Sequence, residues 1–208
     1  MAYTDDQLAV MESIIARYPR KRSAIMPLLH YSQSITGYIN NEAIEVISEL
    51  LELENAEVTA VSTFYTQYKN QPVGEYHVGV CTNTLCAVMG GDAIFAGLKE
   101  HLGVENDGVT ADGKVSLEHI ECNAACDYAP VVMANWEFYD NQTVQSSKDL
   151  VDSMRNGNPK PPTRGPNKLV TWKEASAVLA GVNDGLANEG VQAGEPTLLG
   201  LKLSKEGK

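Results

Sequence analysis

Four cysteines, arranged as two pairs, constrain this chain more than any other feature of its sequence. Cys81 and Cys86 form a C-x4-C pair, and Cys122 and Cys126 form a C-x3-C pair after a gap of 35 residues. Thiolates in such patterns hold metal ions or iron–sulfur clusters, or they form disulfides. In each case, the fold must bring two distant segments of a 208-residue chain to one place.

The cysteine spacing disfavours some of these possibilities but does not select a single one. Structural disulfides are disfavoured because the first residues do not resemble a secretory signal and the chain is long enough for a sizeable core. A thioredoxin-type exchange site needs two residues between its cysteines, and neither pair has that spacing. Structural zinc fits the second pair and is marginal for the first, because zinc pairs are two to four residues apart. A [2Fe–2S] cluster needs four thiolates, with Cys81 and Cys86 on one iron and Cys122 and Cys126 on the other. Zinc and the cluster both remain open at this point.

Charge excludes several classes of partner. The chain carries 16 basic and 27 acidic residues, a net charge of -11, and the segment that holds all four cysteines is its most acidic part. Such a chain repels phosphate backbones and anionic lipid surfaces, so we expect no nucleic-acid partner. No stretch approaches the roughly 20 apolar residues of a spanning helix, so we expect no direct membrane insertion and a cytoplasmic location.

Residues 1–72 are predicted to form an N-terminal helical domain. Apolar residues recur at helical intervals, and Thr4 with Gln7 has the spacing of a capping box. The predicted helices cover about residues 4–18, 23–37, 41–51 and 55–68. The side chains that the last helix should bury are Val58, Val61, Phe64 and Tyr65. No cluster of ligand-type residues occurs here, which indicates a scaffold or docking surface.

Residues 73–157 change to a mixed pattern of strands and helices. Strands are predicted at about 76–81, 115–122, 131–134 and 137–139, with helices at 86–102 and 147–157. This order is similar to a thioredoxin-like domain, in which a right-handed crossover makes the first two strands parallel. Cys81 and Cys122 would then meet beyond the carboxyl ends of these strands, where active groups of such sheets lie. Pro130, just before a strand, is where such folds often keep a cis proline.

Residues 158–208 are predicted to be a C-terminal extension. Four prolines between residues 158 and 166 indicate a stiff linker that holds the last part of the chain away from the domain. Thr171 and Glu174 form a second capping box before one short amphipathic helix. Because so short a helix cannot bury its own apolar face, we expect this extension to dock on a partner. The predicted fold class is therefore α+β: a helical bundle, a thioredoxin-like α/β domain with a mixed sheet, and an extension.

Several stretches resemble a known family. The sequences RYPRKRSAIMPLL, STFYTQY, PVGEYHVGVCTNTLC and ECNAACDYAPVV, spread over residues 17–135, resemble the thioredoxin-like [2Fe–2S] ferredoxin subunit of bacterial complex I (NADH:quinone oxidoreductase). The resemblance implies a cluster held by Cys81, Cys86, Cys122 and Cys126. The last 50 or so residues match nothing general to the family.

The resemblance also implies a function and its partners. It implies an electron-transfer subunit of the NADH dehydrogenase module, with FMN and NAD on a partner subunit and the large iron–sulfur subunit as a second neighbour. The complex would place the chain at the cytoplasmic side of the inner membrane, as a peripheral subunit. The chain itself has no G-x-G-x-x-G after a strand, no P-loop motif and no catalytic triad. Two alternatives stay open: the diaphorase part of an NAD-linked hydrogenase or formate dehydrogenase, and a non-redox assembly module stapled by zinc.

Overall fold

The computed structural model describes residues 3–207, which divide into two compact units. One unit comprises the chain up to Val73 together with Thr171–Asp184, and the other comprises Gly74–Val170 together with the chain from Gly185 onward. The first boundary lies one residue from the expected one. The expected C-terminal extension, in contrast, is divided between the two units.

The elements follow one another in a mixed order. They are α1 (Asp5–Ile15), α2 (Ile25–Thr36), α3 (Asn41–Leu51), α4 (Asn55–Phe64), β1 (Tyr76–Cys81), α5 (Thr84–Val88), α6 (Gly91–Leu102), β2 (Gly108–Val109), β3 (Val115–Ile120), β4 (Val132–Ala134), β5 (Glu137–Tyr139), α7 (Val144–Arg155), α8 (Trp172–Leu179) and α9 (Glu195–Lys205). Short 3₁₀ turns cover Lys21–Ala24 and Cys126–Tyr128. The predicted α+β class is confirmed. No helix within residues 3–207 is long and apolar enough to cross a membrane.

Local signals explain the ends of the helices in the first unit. Thr4 and Gln7 form the predicted capping box of α1, and the Asn40 side chain accepts the Ala43 N–H at 2.8 Å to start α3. Helix α2 ends where Gly37 adopts a left-handed backbone with φ of 90°, a conformation that favours glycine. These caps satisfy backbone groups that a helix end leaves without a partner.

Helix α4 is shorter than the sequence predicted. It ends at Phe64 because Tyr65 has an extended backbone, and the predicted burial of both side chains is wrong. The Phe64 side chain is 76% exposed and that of Tyr65 is 42% exposed. The apolar periodicity of the sequence extends beyond Phe64, although the helix ends at that residue.

Helix α8 packs against α2 and closes the core of the first unit. The Trp172 side chain is 1% exposed, and its indole N–H donates to the Gly37 carbonyl at 2.7 Å. The Gln33 side-chain amide donates to the Ser176 hydroxyl at 3.2 Å in the same contact. The first unit therefore buries Trp172 and Ala175 of α8, whereas Val178 and Leu179 remain 37% and 40% exposed. The expectation that the extension docks on a partner stays a prediction.

A five-stranded mixed sheet organises the second unit, in the order β2-β3-β1-β4-β5. Strands β1 and β3 are parallel, as the crossover argument predicted, and β4 runs antiparallel to β1. Helices α6 and α7 contribute to the main core of this unit. The residues of that core include Val78, Val80, Ile94, Leu98, Val115, Leu117, Leu150, Val151 and Met154.

The second unit confirms some of the sequence predictions and differs from others. The helix predicted over 86–102 is broken into α5 and α6, because Gly90 adopts φ of 111°. The Ala129–Pro130 peptide bond is cis, which confirms the prediction for Pro130. Strand β2 and helix α9 were not predicted.

We expect substitution of Trp172 to destabilise the first unit. Trp172→Ala removes a fully buried aromatic side chain and should lower the free energy of unfolding by roughly 3–5 kcal/mol. Trp172→Phe keeps most of the ring but leaves the Gly37 carbonyl without its donor, for a smaller loss of about 1 kcal/mol. Denaturant unfolding of the full chain, with Val178→Ala on the half-exposed side of α8 as control, measures both. A Trp172→Ala loss no larger than that of the control would contradict the packing of α8.

His30 should make the stability of this unit pH-dependent. Burial lowers the pKa of its imidazole from 6.5 to about 4, because the charged form would lose its hydration. The unfolded chain then binds a proton that the folded chain does not, so stability is full above pH 6.5 and falls as the pH drops towards 4. The difference in unfolding free energy between the wild type and His30→Phe should change across this range. A difference that is constant with pH would show that His30 is not a neutral buried base.

Candidate metal centre

The parallel pairing of β1 and β3 brings the two cysteine segments to the same edge of the sheet. Cys81 is the last residue of β1 and pairs with Ile120, the last residue of β3. Cys122 follows Ile120 by two residues, and Cys126 begins the 3₁₀ turn after it. Helix α5, which starts just after β1, carries Cys86. All four predicted cysteines therefore lie at this edge.

The two pairs differ in burial. Cys81 is 2% exposed and Cys86 is 3% exposed, whereas Cys122 and Cys126 are both exposed. The buried pair lies in an apolar cluster on the sheet face opposite the main core. The other members of this cluster are Ile120, Ala125, Ala129, Val131 and Met133. The site thus has an apolar inner side and an outer side that faces solvent.

All four cysteines are free thiols. The Cys122 and Cys126 sulfurs lie 3.6 Å apart, well beyond the length of a disulfide bond, and Cys81 and Cys86 are hydrogen-bonded through their side chains. No group of three or more His, Cys, Asp or Glu side chains within residues 3–207 is arranged to hold a metal ion. The thiols therefore form two close pairs at one edge.

Burial and neighbouring thiols oppose the ionisation of Cys81 and Cys126. Burial raises the pKa of Cys81 to about 11, and the neighbouring Cys86 and Cys122 add to this because they are further potential anions. The pKa of Cys126 is raised by the hydrogen bond and the charge of Cys122, with a contribution from Cys81. Sulfur donors whose negative charge is opposed in this way fit a cationic centre, which would supply the missing positive charge.

Backbone amides point at two of the sulfurs. The Asn83 N–H donates to the Cys81 sulfur, and the Ala124 N–H lies 3.4 Å from the Cys122 sulfur. Ala124 adopts a left-handed backbone with φ of 56°, which is uncommon for a residue other than glycine. Both hydrogen bonds favour the anionic form of the sulfur that accepts them. The structure thus holds strain in the loop where a ligand-binding role is expected.

Gly91 is a residue of the site that the cysteine pattern did not identify. A Cβ atom at this position would lie 2.5 Å from the Cys81 carbonyl oxygen and 2.9 Å from that of Cys86. Only glycine lets the start of α6 come this close to both cysteine segments. The two adjacent glycines, Gly90 and Gly91, are a sequence sign of a close backbone contact. The sequence does not show which backbone makes that contact.

The amino-acid sequence is similar to a known family and to named relatives. Residues 11–155 match the model of the thioredoxin-like [2Fe–2S] ferredoxin family. A Mycobacterium tuberculosis protein named as a subunit of NADH-quinone oxidoreductase is 54% identical over 210 aligned residues, which cover 99% of this chain and 83% of that protein. A Rickettsia bellii protein of the same name is 40% identical over 158 residues, covering 74% of this chain and 95% of that protein.

A solved structure shares the fold. The crystal structure of an NAD⁺-reducing [NiFe]-hydrogenase in the air-oxidised state aligns with a TM-score of 0.58 and 18% identity, over 65% of this chain and 23% of that chain. At this identity the likeness concerns the fold alone. The family match and the two relatives decide the classification: the chain belongs to the thioredoxin-like [2Fe–2S] ferredoxin family.

Proposed function

We propose that Cys81, Cys86, Cys122 and Cys126 hold one [2Fe–2S] cluster, and that the chain is a one-electron-transfer subunit of an NADH:quinone oxidoreductase. The observation that carries this proposal is the meeting of both thiol pairs at the edge where β1 and β3 end. Membership of a [2Fe–2S] ferredoxin family and 54% identity to a protein named as a subunit of NADH-quinone oxidoreductase support it. Neither disulfide bonding nor a thioredoxin-type pair fits four free thiols at this spacing.

Different residues of the chain would bind different sides of such a cluster. When bound, a [2Fe–2S] cluster takes up and gives off single electrons, whereas a nicotinamide gives two as a hydride. Cys81 and Cys86 would bind from the apolar inner side, which limits access of water. Cys122 and Cys126 would bind from the outer side and leave it open to a partner. The amides of Asn83 and Ala124 would donate to sulfur and stabilise its negative charge.

A partner must supply the two-electron chemistry. The sequence has no dinucleotide-binding motif, so we propose that FMN and NAD bind to a neighbouring subunit and that electrons pass between that flavin and the exposed side of the cysteine site. The large iron–sulfur subunit is the second proposed neighbour. Through these contacts the chain would lie peripherally at the cytoplasmic side of the inner membrane.

The diaphorase alternative has less support. The NAD⁺-reducing hydrogenase shares only 18% of aligned residues, so that likeness says nothing about the chain's partners. Identities of 54% and 40% to two proteins that carry the NADH-quinone oxidoreductase name favour the respiratory complex. The zinc-stapled module remains a distinct outcome of the experiment below.

Removal of any one of the four thiols should abolish the cluster. Each Cys→Ser variant of the full chain, reconstituted with iron and sulfide, should lose most of its visible absorption and its EPR signal after dithionite reduction, because a hydroxyl is a much poorer iron ligand than a thiolate. Wild-type protein should contain about two irons and two sulfides per chain.

The matched control for these variants is Met89→Ala, an exposed side chain three residues after Cys86. It should keep the iron, the sulfide and both spectra. A colourless wild-type protein that binds one zinc ion per chain would reject the proposed cluster in favour of the zinc module.

Reduction by NADH should depend on the flavin subunit. NADH added to the purified chain alone should leave the EPR spectrum of the oxidised protein unchanged, because this chain has no nucleotide-binding motif. NADH added to the co-purified pair with the flavin subunit should produce the signal of the reduced cluster. Equal reduction in both samples would contradict the proposed division of roles.

A further inference from the structure

The C-terminal strap, which we define as residues 185–205, lies against the turn that carries Cys126. The Thr197 hydroxyl donates to the Asp127 carboxylate at 3.1 Å, and Asp127 directly follows Cys126. At Gly194, a Cβ atom would lie only 1.9 Å from the hydroxyl oxygen of Tyr128, the last residue of the turn. The strap therefore contacts two of the three residues of this turn, and one of the contacts requires glycine.

A second point of attachment lies just before these contacts. The Gly165 N–H donates to the Val191 carbonyl at 2.8 Å, which ties the strap to the linker that follows α7. Gly190 adopts φ of 66°, and a Cβ atom there would lie 1.8 Å from the Gly165 carbonyl oxygen. The strap thus follows a path that its glycines allow and that larger residues would block.

Arg164 lies against the ring of Tyr128. The guanidinium of Arg164 lies 5.0 Å from the centre of the Tyr128 ring and 4.2 Å from that of Phe138. Arg164 also forms an ion pair with Asp140 at 2.9 Å, and both side chains are largely buried. Tyr128 therefore contacts the strap at its hydroxyl and, through its ring, a cation that Asp140 holds in place.

The position of the strap matters because Cys126 belongs to an irregular segment. Residues 121–131 contain no strand or α-helix, and both Cys122 and Cys126 are exposed. An exposed loop without ladder hydrogen bonds opens easily, whereas a metal ligand works best when its neighbours fix its position. The strap and Arg164 supply such neighbours.

We propose that the C-terminal strap is a clamp that holds the Cys126–Tyr128 turn closed, with Gly194 and Thr197 as its positioning residues. The proposal rests on the proposed function in one respect, the role of Cys126 as a ligand. The clamp keeps the Cys126 sulfur in place beside Cys122 and slows the opening of the turn.

The experiment compares Gly194→Ala with wild type in the full chain. The added methyl group cannot fit against Tyr128 without moving the strap, whereas the backbone of Gly194 is in a conformation that alanine adopts freely. In chelator-stripped protein, hydrogen exchange of the Tyr128 and Ala129 amides, which donate to the Ala125 and Cys126 carbonyls within the turn, should become about tenfold faster when followed by mass spectrometry. In the reconstituted protein, the loss of visible absorption in excess chelator should accelerate by a similar factor.

Three further variants separate the clamp from a general loss of stability. Gly200→Ala, on α9 with open space around it, is the matched control and should leave both rates unchanged. Tyr128→Phe removes a hydroxyl that has no hydrogen-bond partner among residues 3–207, and combined with Gly194→Ala it should restore part of the wild-type rates. Thr197→Val, which removes only the hydrogen bond to Asp127, should give an intermediate increase.

Three outcomes decide whether the strap acts as a clamp. Wild-type rates in Gly194→Ala would overturn the clamp, whether or not the cluster forms. A parallel rise in alkylation of the buried Cys81 and Cys86 would also overturn it, because the variant would then be opening the whole unit. Faster exchange of the Tyr128 and Ala129 amides alone, in a chain that never binds iron, would support the hold of the strap on the turn while rejecting the proposed function.

Discussion

The parallel pairing of β1 with β3 is the interaction on which the site depends. Because Cys81 is paired in register with Ile120, the segment that follows β3 must begin where β1 ends. A shift of one residue in this register would turn Cys81 to the opposite face of the sheet, into the main core. The buried residues of β1 and β3 that fix the register are therefore as important for the site as the thiols themselves. Hydrophobic packing on one face of the sheet in this way determines the chemistry available on the other.

The site combines features that each cost stability. Burial and neighbouring thiols raise the pKa of the buried Cys81, Ala124 has a left-handed backbone, and Gly91 brings a helix start against two carbonyl oxygens. A chain folded for stability alone would have little reason to assemble such a set. All three features become useful if the sulfurs bind a positively charged centre, because the thiolates are then neutralised and the amides have anions to which they can donate.

Much of this arrangement could be predicted from the sequence, because it follows from local rules. The alternation in β1, the capping boxes of α1 and α8, and the order of elements in the second unit all rest on neighbours in the chain. The rest depends on distant contacts. The apolar periodicity predicted that Phe64 is buried, but its side chain is exposed. The periodicity also gave no sign that α8 packs against α2. The closeness of Gly194 to Tyr128 is likewise invisible in a sequence, since 66 positions separate them.

The return of α8 to the first unit has a consequence for biosynthesis. A ribosome releases the chain from its N-terminus, so helices α1–α4 emerge with one side of their core uncovered. That side is completed only after the entire sheet of the second unit has been made, because Trp172 lies beyond it in the chain. The unit that is synthesised first must therefore be among the last to finish folding, and until then it presents apolar surface that a chaperone or an assembly partner can recognise.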